Sequence, residues 1–227
     1  MENKGVWGVT NAELDSAVAA VDSTAFMVPA RIVRRVLRHD RGLTESGLRL
    51  PHRKTYFVGR ESLLQIVEPA EIGVASADDV PEMSILLARP EPEQLSAITR
   101  PRVLLKYWRL LYHARVHVEL ERKIADGRLT TTVVQERVAA IGRLEFEEIR
   151  SVLKQESLLL PPVDDTSIYV EFLAVYFELK FFAPRLLADY FPSIRDWSAI
   201  DALVEQDFAG REWFASTRLP GSPEPHE

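Results

Sequence analysis

From Pro101 onward the chain is punctuated by residues that start or stop helices, and that pattern restricts the C-terminal half to packed helices. Pro101 opens a long helical stretch to about Asp126, and Gly127 ends it. Proline suits a first turn, where its missing N–H costs nothing, and glycine suits the residue after the last turn. Thr132 and Gln135 have capping-box spacing and start a second helix reaching about Gln155. Pro161-Pro162 breaks the chain, and Asp164 or Asp165 caps a third helix through Ala183. Pro184 starts or kinks a shorter segment to Phe191. Ser193 caps a last helix, with Asp196 in its first turn complementing the helix dipole. Links this short make neighbouring helices antiparallel, so residues 91–215 are expected to form a four- or five-helix bundle.

The N-terminal part has a different rhythm. Residues 11–24 predict a helix with Asn11 as N-cap and Leu14, Ala17, Val18 and Val21 on one face. Pro29 leads into a second helix to about Arg41, stopped by Gly42, with Ile32, Val33, Val36 and Leu37 apolar. Leu48, Leu50, Tyr56 and Val58 then alternate with polar neighbours, which predicts a two-stranded element. Glu61 to Val67 returns to helix, and Met83 to Ala88 fits either a strand or a buried helical turn. The expected fold class is mainly α. A small basic α/β region over 1–90 (helix, two-stranded element, helix) precedes the bundle over 91–215, and residues 216–227 read as a disordered tail or linker. No internal repeat is visible.

Charge is segregated along this frame. Between Val28 and Arg60 lie nine bases, Arg31, Arg34, Arg35, Arg38, Arg41, Arg49, Arg53, Lys54 and Arg60, against Asp40 and Glu45 alone. The segment carries +7 in a chain of −6, so the remainder carries −13. From Glu61 to Thr99 eight acids face the single Arg89. On the second helix Arg31, Arg34, Arg35 and Arg38 recur at helical spacing, which gathers them on one solvated side. Arginines so placed can track phosphates, with Arg49, His52, Arg53 and Lys54 on the ribbon reaching further and His52 and Tyr56 offering rings for stacking. They can equally pair with the acidic stretch after Glu61 or dock an acidic protein surface.

The run Tyr56-Phe57-Val58-Gly59-Arg60-Glu61-Ser62-Leu63-Leu64 resembles the wing and closing helix of excisionase-type DNA-binding domains. That resemblance implies a nucleic-acid partner for the basic segment. Phe57-Val58-Gly59-Arg60-Glu61 is also similar to a stretch that precedes the phosphate loop of some signalling ATPases. Those enzymes need a glycine-rich loop ending in Gly-Lys-Ser/Thr, and none of the ten glycines here sits in one.

A second constellation lies on the long helix. His113 and His117 are one turn apart and Glu121 one turn further, a spacing that lets two imidazoles and a carboxylate share a metal. Glu145, Glu148, Glu171 and Glu178 are further carboxylates on the following helices. Ala114 follows the first histidine, so the His-Glu-x-x-His motif is absent, as are the Glu-x-x-His pairs of di-iron bundles. The same histidines also fit as hydrogen-bonded residues bordering the stripe of Val103, Tyr107, Leu110 and Ala114.

The chain has no cysteine, which excludes thiol nucleophiles, iron–sulfur clusters and thiolate zinc sites. No Gly-x-Ser-x-Gly elbow is present. The start, Met1-Glu2-Asn3-Lys4-Gly5, lacks the basic flank and apolar core of a signal peptide, and no apolar run could span a bilayer. A soluble, cytoplasmic protein with no membrane partner is the expectation. Function is expected to be that of a non-catalytic regulatory or adaptor protein docking an acidic protein surface or nucleic acid through Arg31–Arg60. No cofactor is required by that reading. The alternatives are a metal-dependent helical enzyme using His113 and His117 with a divalent ion, and a structural module of a larger assembly.

Overall fold

A computed structural model describes residues 8–42, 54–161 and 163–225. The protein is mostly helical with one small mixed sheet. Contacts divide the chain into two compact units. The first takes the described residues up to Ala114 together with Ala215–Glu224, and the second runs from Arg115 to Phe214. The division falls inside a single continuous helix. No helix among the described residues is long and apolar enough to cross a membrane.

In the first unit α1 (Asn11–Val21) is capped by Thr10 rather than Asn11. The Thr10 hydroxyl accepts from the Glu13 N–H at 3.2 Å, and the Glu13 carboxylate accepts the Thr10 N–H at 2.8 Å. This reciprocal pair satisfies two of the donors that a helix start leaves open. Three strands follow: β1 (Ala25–Val28), β2 (Thr55–Gly59) and β3 (Met83–Ala88). Between them lie α2 (Ala30–Asp40), α3 (Arg60–Leu64) and two short 3-10 turns, Pro69–Ile72 and Ala77–Asp79.

The sheet order is β1-β3-β2. β1 runs parallel to β3 with Ala25 opposite Ile85, and β2 runs antiparallel to it with Phe57 also opposite Ile85. The described sheet is therefore three-stranded and mixed, where the sequence led to a two-stranded element. Leu48 and Leu50 lie outside the described residues, and β2 finds its partner in β3, beyond α3. Central β3 is buried from Ser84 to Ala88. A strand covered on both faces has no alternation, which is why periodicity could not separate it from a helical turn. Against β2 and β3 packs the apolar side of α2, where Ile32, Val33, Val36 and Leu37 are buried.

The helices continue with α4 (Pro92–Ala97) and α5 (Arg100–Ala125). Residues 215–224 belong to the first unit, with Thr217 and Leu219 buried and the Arg218 guanidinium over the Trp108 ring at 5.3 Å. One leucine and one stacked arginine hold down a segment whose prolines and polar composition read as a tail or linker.

The second unit contains α6 (Thr131–Ile141), α7 (Arg143–Gln155), α8 (Asp165–Phe182), a 3-10 turn at Pro184–Leu186, α9 (Leu187–Tyr190), α10 (Trp197–Val204) and α11 (Gly210–Ser216) as far as Phe214, besides the end of α5. The expected single helix from Thr132 to Gln155 is two. Gly142 adopts φ 105°, ψ 134°, a conformation open to glycine, and the chain turns there between α6 and α7. Asp164 caps α8 and Asp196 caps α10 through side-chain bonds to Ser167 and Ala199 N–H groups.

α8 is buried on nearly all sides, as an all-round apolar helix must be. Its aromatic residues apart from the half-buried Phe181 are core. Phe172 meets Phe191 edge-on at 5.3 Å, Tyr176 stacks on Trp197 at 6.0 Å, and Phe181 stacks on Phe214 at 4.6 Å.

Candidate functional site

In the first unit the amphipathic pattern of α2 orients its basic residues. Burying Ile32, Val33, Val36 and Leu37 against the sheet leaves Arg31, Arg34, Arg35, Arg38 and His39 exposed. These five, with Gln65 and Ile66, line an open groove of about 680 Å³. All four expected α2 arginines thus share one surface feature. His39, Gln65 and Ile66 were not singled out by sequence reasoning, because the latter two follow α3 and only the tertiary fold brings them to α2.

One of the arginines already holds a carboxylate. Arg35 Nη2 donates to Glu71 Oε2 at 2.7 Å, with both side chains still substantially solvated. The Arg35 hydrogen bond, followed by one from the Glu68 N–H, lowers the Glu71 pKa below its ordinary value. Arg34 and Arg38 have no carboxylate within ion-pair distance among the described residues.

Other members of the basic segment are used differently. Tyr56 is buried, and its hydroxyl donates to Asp40 while Arg41 Nε donates to that hydroxyl at 2.9 Å. Burial, reinforced by Asp40, pushes the Tyr56 phenol up. Its ring is therefore not available for stacking on a base. Arg60 pairs with Glu82 at 3.1 Å. Lys54 is exposed before β2 and does not line the groove. It lies beside Lys106, whose amine is held below the ordinary lysine range by burial and by the Lys54 charge. Arg49, His52 and Arg53 lie outside the described residues.

The second constellation is carried by α5 and α8. His117 Nε2 stands 3.5 Å from Glu171 Oε2, and both side chains are more than nine-tenths buried. His113 is half-buried one turn earlier on the same continuous helix, so its distance from His117 is set by helix geometry. One ligand atom each from His113, His117 and Glu171 fall within 4.8 Å of one another. Glu171, not Glu121, is the carboxylate of this cluster; Glu121 is half-buried a turn further along α5. The sequence placed Glu171 on the right helix, and the phase of α8 against α5 is what selects it. On the opposite side of α5, Arg115 lies over the Trp213 ring at 5.1 Å and pairs with Glu119 at 3.5 Å.

Elsewhere in the second unit a buried network is fully engaged. Asp207 accepts from Arg137 at 2.8 and 3.2 Å and from the Tyr169 hydroxyl at 2.7 Å. Its bond to Asp207 raises the Arg137 pKa, while burial and then Asp207 raise that of Tyr169. Every group here has an opposite partner, which is the signature of a structural network rather than of one poised for chemistry.

Compared with known proteins, the chain matches no family model, no curated protein and no solved structure.

Proposed function

We propose that the protein is a non-catalytic regulatory or adaptor protein that docks an acidic segment of a partner protein on the basic face of α2. The observation that carries this reading is the gathering of Arg31, Arg34, Arg35 and Arg38 around one open groove. Guanidinium groups bind carboxylates through directed, charge-assisted hydrogen bonds. The Arg35–Glu71 pair within the chain is an example of the contact a partner's acids would make. Ile66 adds a half-buried apolar contact at the groove, which suits a side chain better than a phosphate backbone. Burial of Tyr56 removes one stacking ring that a nucleic-acid partner would use. The expectation of a four- or five-helix bundle over 91–215 belongs to the same reading, as the scaffold of a docking protein rather than of an enzyme.

The test is a titration with a labelled glutamate-rich peptide and, in parallel, with duplex DNA and single-stranded RNA, at low and moderate salt. The wild type should bind the peptide with an affinity that falls as salt rises. Arg34→Glu/Arg38→Glu should abolish that binding while the fold is retained. Peptide binding unaffected by the double substitution, or absent at low salt, overturns the reading. Preference for nucleic acid with the same arginine dependence transfers the site to that partner class.

A further inference from the structure

We propose that His113, His117 and Glu171 bind one divalent transition-metal ion. Geometry is the first support. A tetrahedral ion with bonds of about 2.0–2.1 Å places its ligands about 3.4 Å apart. His117 Nε2 and Glu171 Oε2 already stand at 3.5 Å, close to that separation. All three ligand atoms lie within 4.8 Å, so small side-chain rotations of the half-buried His113 complete the set.

Donor chemistry narrows the ion. Two imidazole nitrogens and one carboxylate oxygen suit zinc, iron(II) or manganese(II), whereas calcium and magnesium prefer oxygen alone. With no cysteine in the chain, a nitrogen and oxygen set is what this protein can offer a transition metal.

Burial is the second support. The side chains of His117 and Glu171 are 8% and 7% exposed, so both ligands are held in the packed interior of the unit. Side chains held by packing on two regular helices lose little freedom when an ion binds. Because Glu171 and His117 come from α8 and α5 of the same unit, an ion here clips those helices together, and binding raises the stability of the fold. Nothing in this inference depends on the α2 groove.

The experiment uses the full chain, prepared without a polyhistidine tag and stripped with chelator. Zinc, manganese and, without oxygen, iron(II) are each titrated by calorimetry and by equilibrium dialysis with elemental analysis. At least one should bind at one ion per chain and raise Tm. His113→Asn, His117→Gln and Glu171→Gln should each weaken that binding at least about tenfold. Cobalt(II) should give visible absorption bands in the wild type that His113→Asn loses. Should the substitutions at the more buried His117 and Glu171 prevent folding, His113→Asn decides, since its side chain is half-buried. Less than a tenth of an equivalent of every ion bound, or binding and cobalt bands unchanged in His113→Asn, overturns the proposal.

Discussion

The exposed ion pair of the first unit and the buried one of the second are built from the same side-chain types, yet they do different things. Arg35 and Glu71 meet at 2.7 Å with roughly half and a third of their side chains in water. Arg137 and Asp207 meet at 2.8 Å with both largely withdrawn from it. In water the desolvation already spent is small and so is the gain, about 0–1 kcal/mol for an exposed pair. In the interior each partner makes the other tolerable, and removing one leaves an uncompensated charge. Distance alone does not separate the two cases. Burial does, and it marks Asp207 as architecture and the α2 arginines as solvated surface.

The largest test of that contrast is Asp207→Ala. It strands the Arg137 guanidinium and the Tyr169 hydroxyl together, and should cost about 3–5 kcal/mol in denaturant unfolding. A loss below about 1 kcal/mol would place this pair in the same class as Arg35–Glu71. Gly210→Ala should be next. An added Cβ would meet the buried Phe177 ring at 2.5 Å, so overpacking should cost about 1–3 kcal/mol. Tyr169→Phe removes one hydrogen bond to Asp207 while keeping the ring, for an expected 0.5–1.5 kcal/mol or about that order.

Smaller effects are expected on α2. A double-mutant cycle of Arg35→Ala and Glu71→Gln should give a coupling far smaller than the loss at Asp207. Glu71 also offers a pH readout. Its folded pKa is depressed, chiefly by Arg35, so whatever the pair contributes is present above the ordinary carboxylate pKa and fades as pH falls through the lowered one. In Arg35→Ala the Glu71 titration followed by NMR should move upward, and an unmoved titration would show that the pair is not formed in solution. Least of all, Arg34→Ala and Arg38→Ala should each change stability by no more than about 0.5 kcal/mol. A clearly larger loss would make those arginines structural and break the comparison from the other side.

Much of the helical frame was legible because its signals are local. The termini of α5 and α8 lie within a residue or two of where Pro101, Gly127, Asp164 and Ala183 place them. The break at Gly142 was not legible, since apolar spacing runs on through α6 and α7 and only the positive φ reveals the turn. β1 was missed for a related reason. Four residues between two helices look like a connection until β3, almost sixty residues later, supplies their hydrogen bonds. At the candidate sites the arginine face of α2 and the His113–His117 spacing were readable, being consequences of 3.6 residues per turn. The choice of Glu171 over Glu121, and the arrival of Gln65 and Ile66 beside α2, were not.

By itself, then, the sequence determined where the long helices α5 and α8 begin and end, which face of α2 is basic and which histidines lie one turn apart. Each of these depends on neighbours within a turn or two along the chain. Tertiary structure alone decided the mixed sheet, the burial of Tyr56 behind Asp40, the groove that α2 shares with residues after α3, and the carboxylate that joins the histidines. These depend on contacts between residues distant in sequence, where the phase of one element against another sets which side chains meet, and no local periodicity encodes that phase.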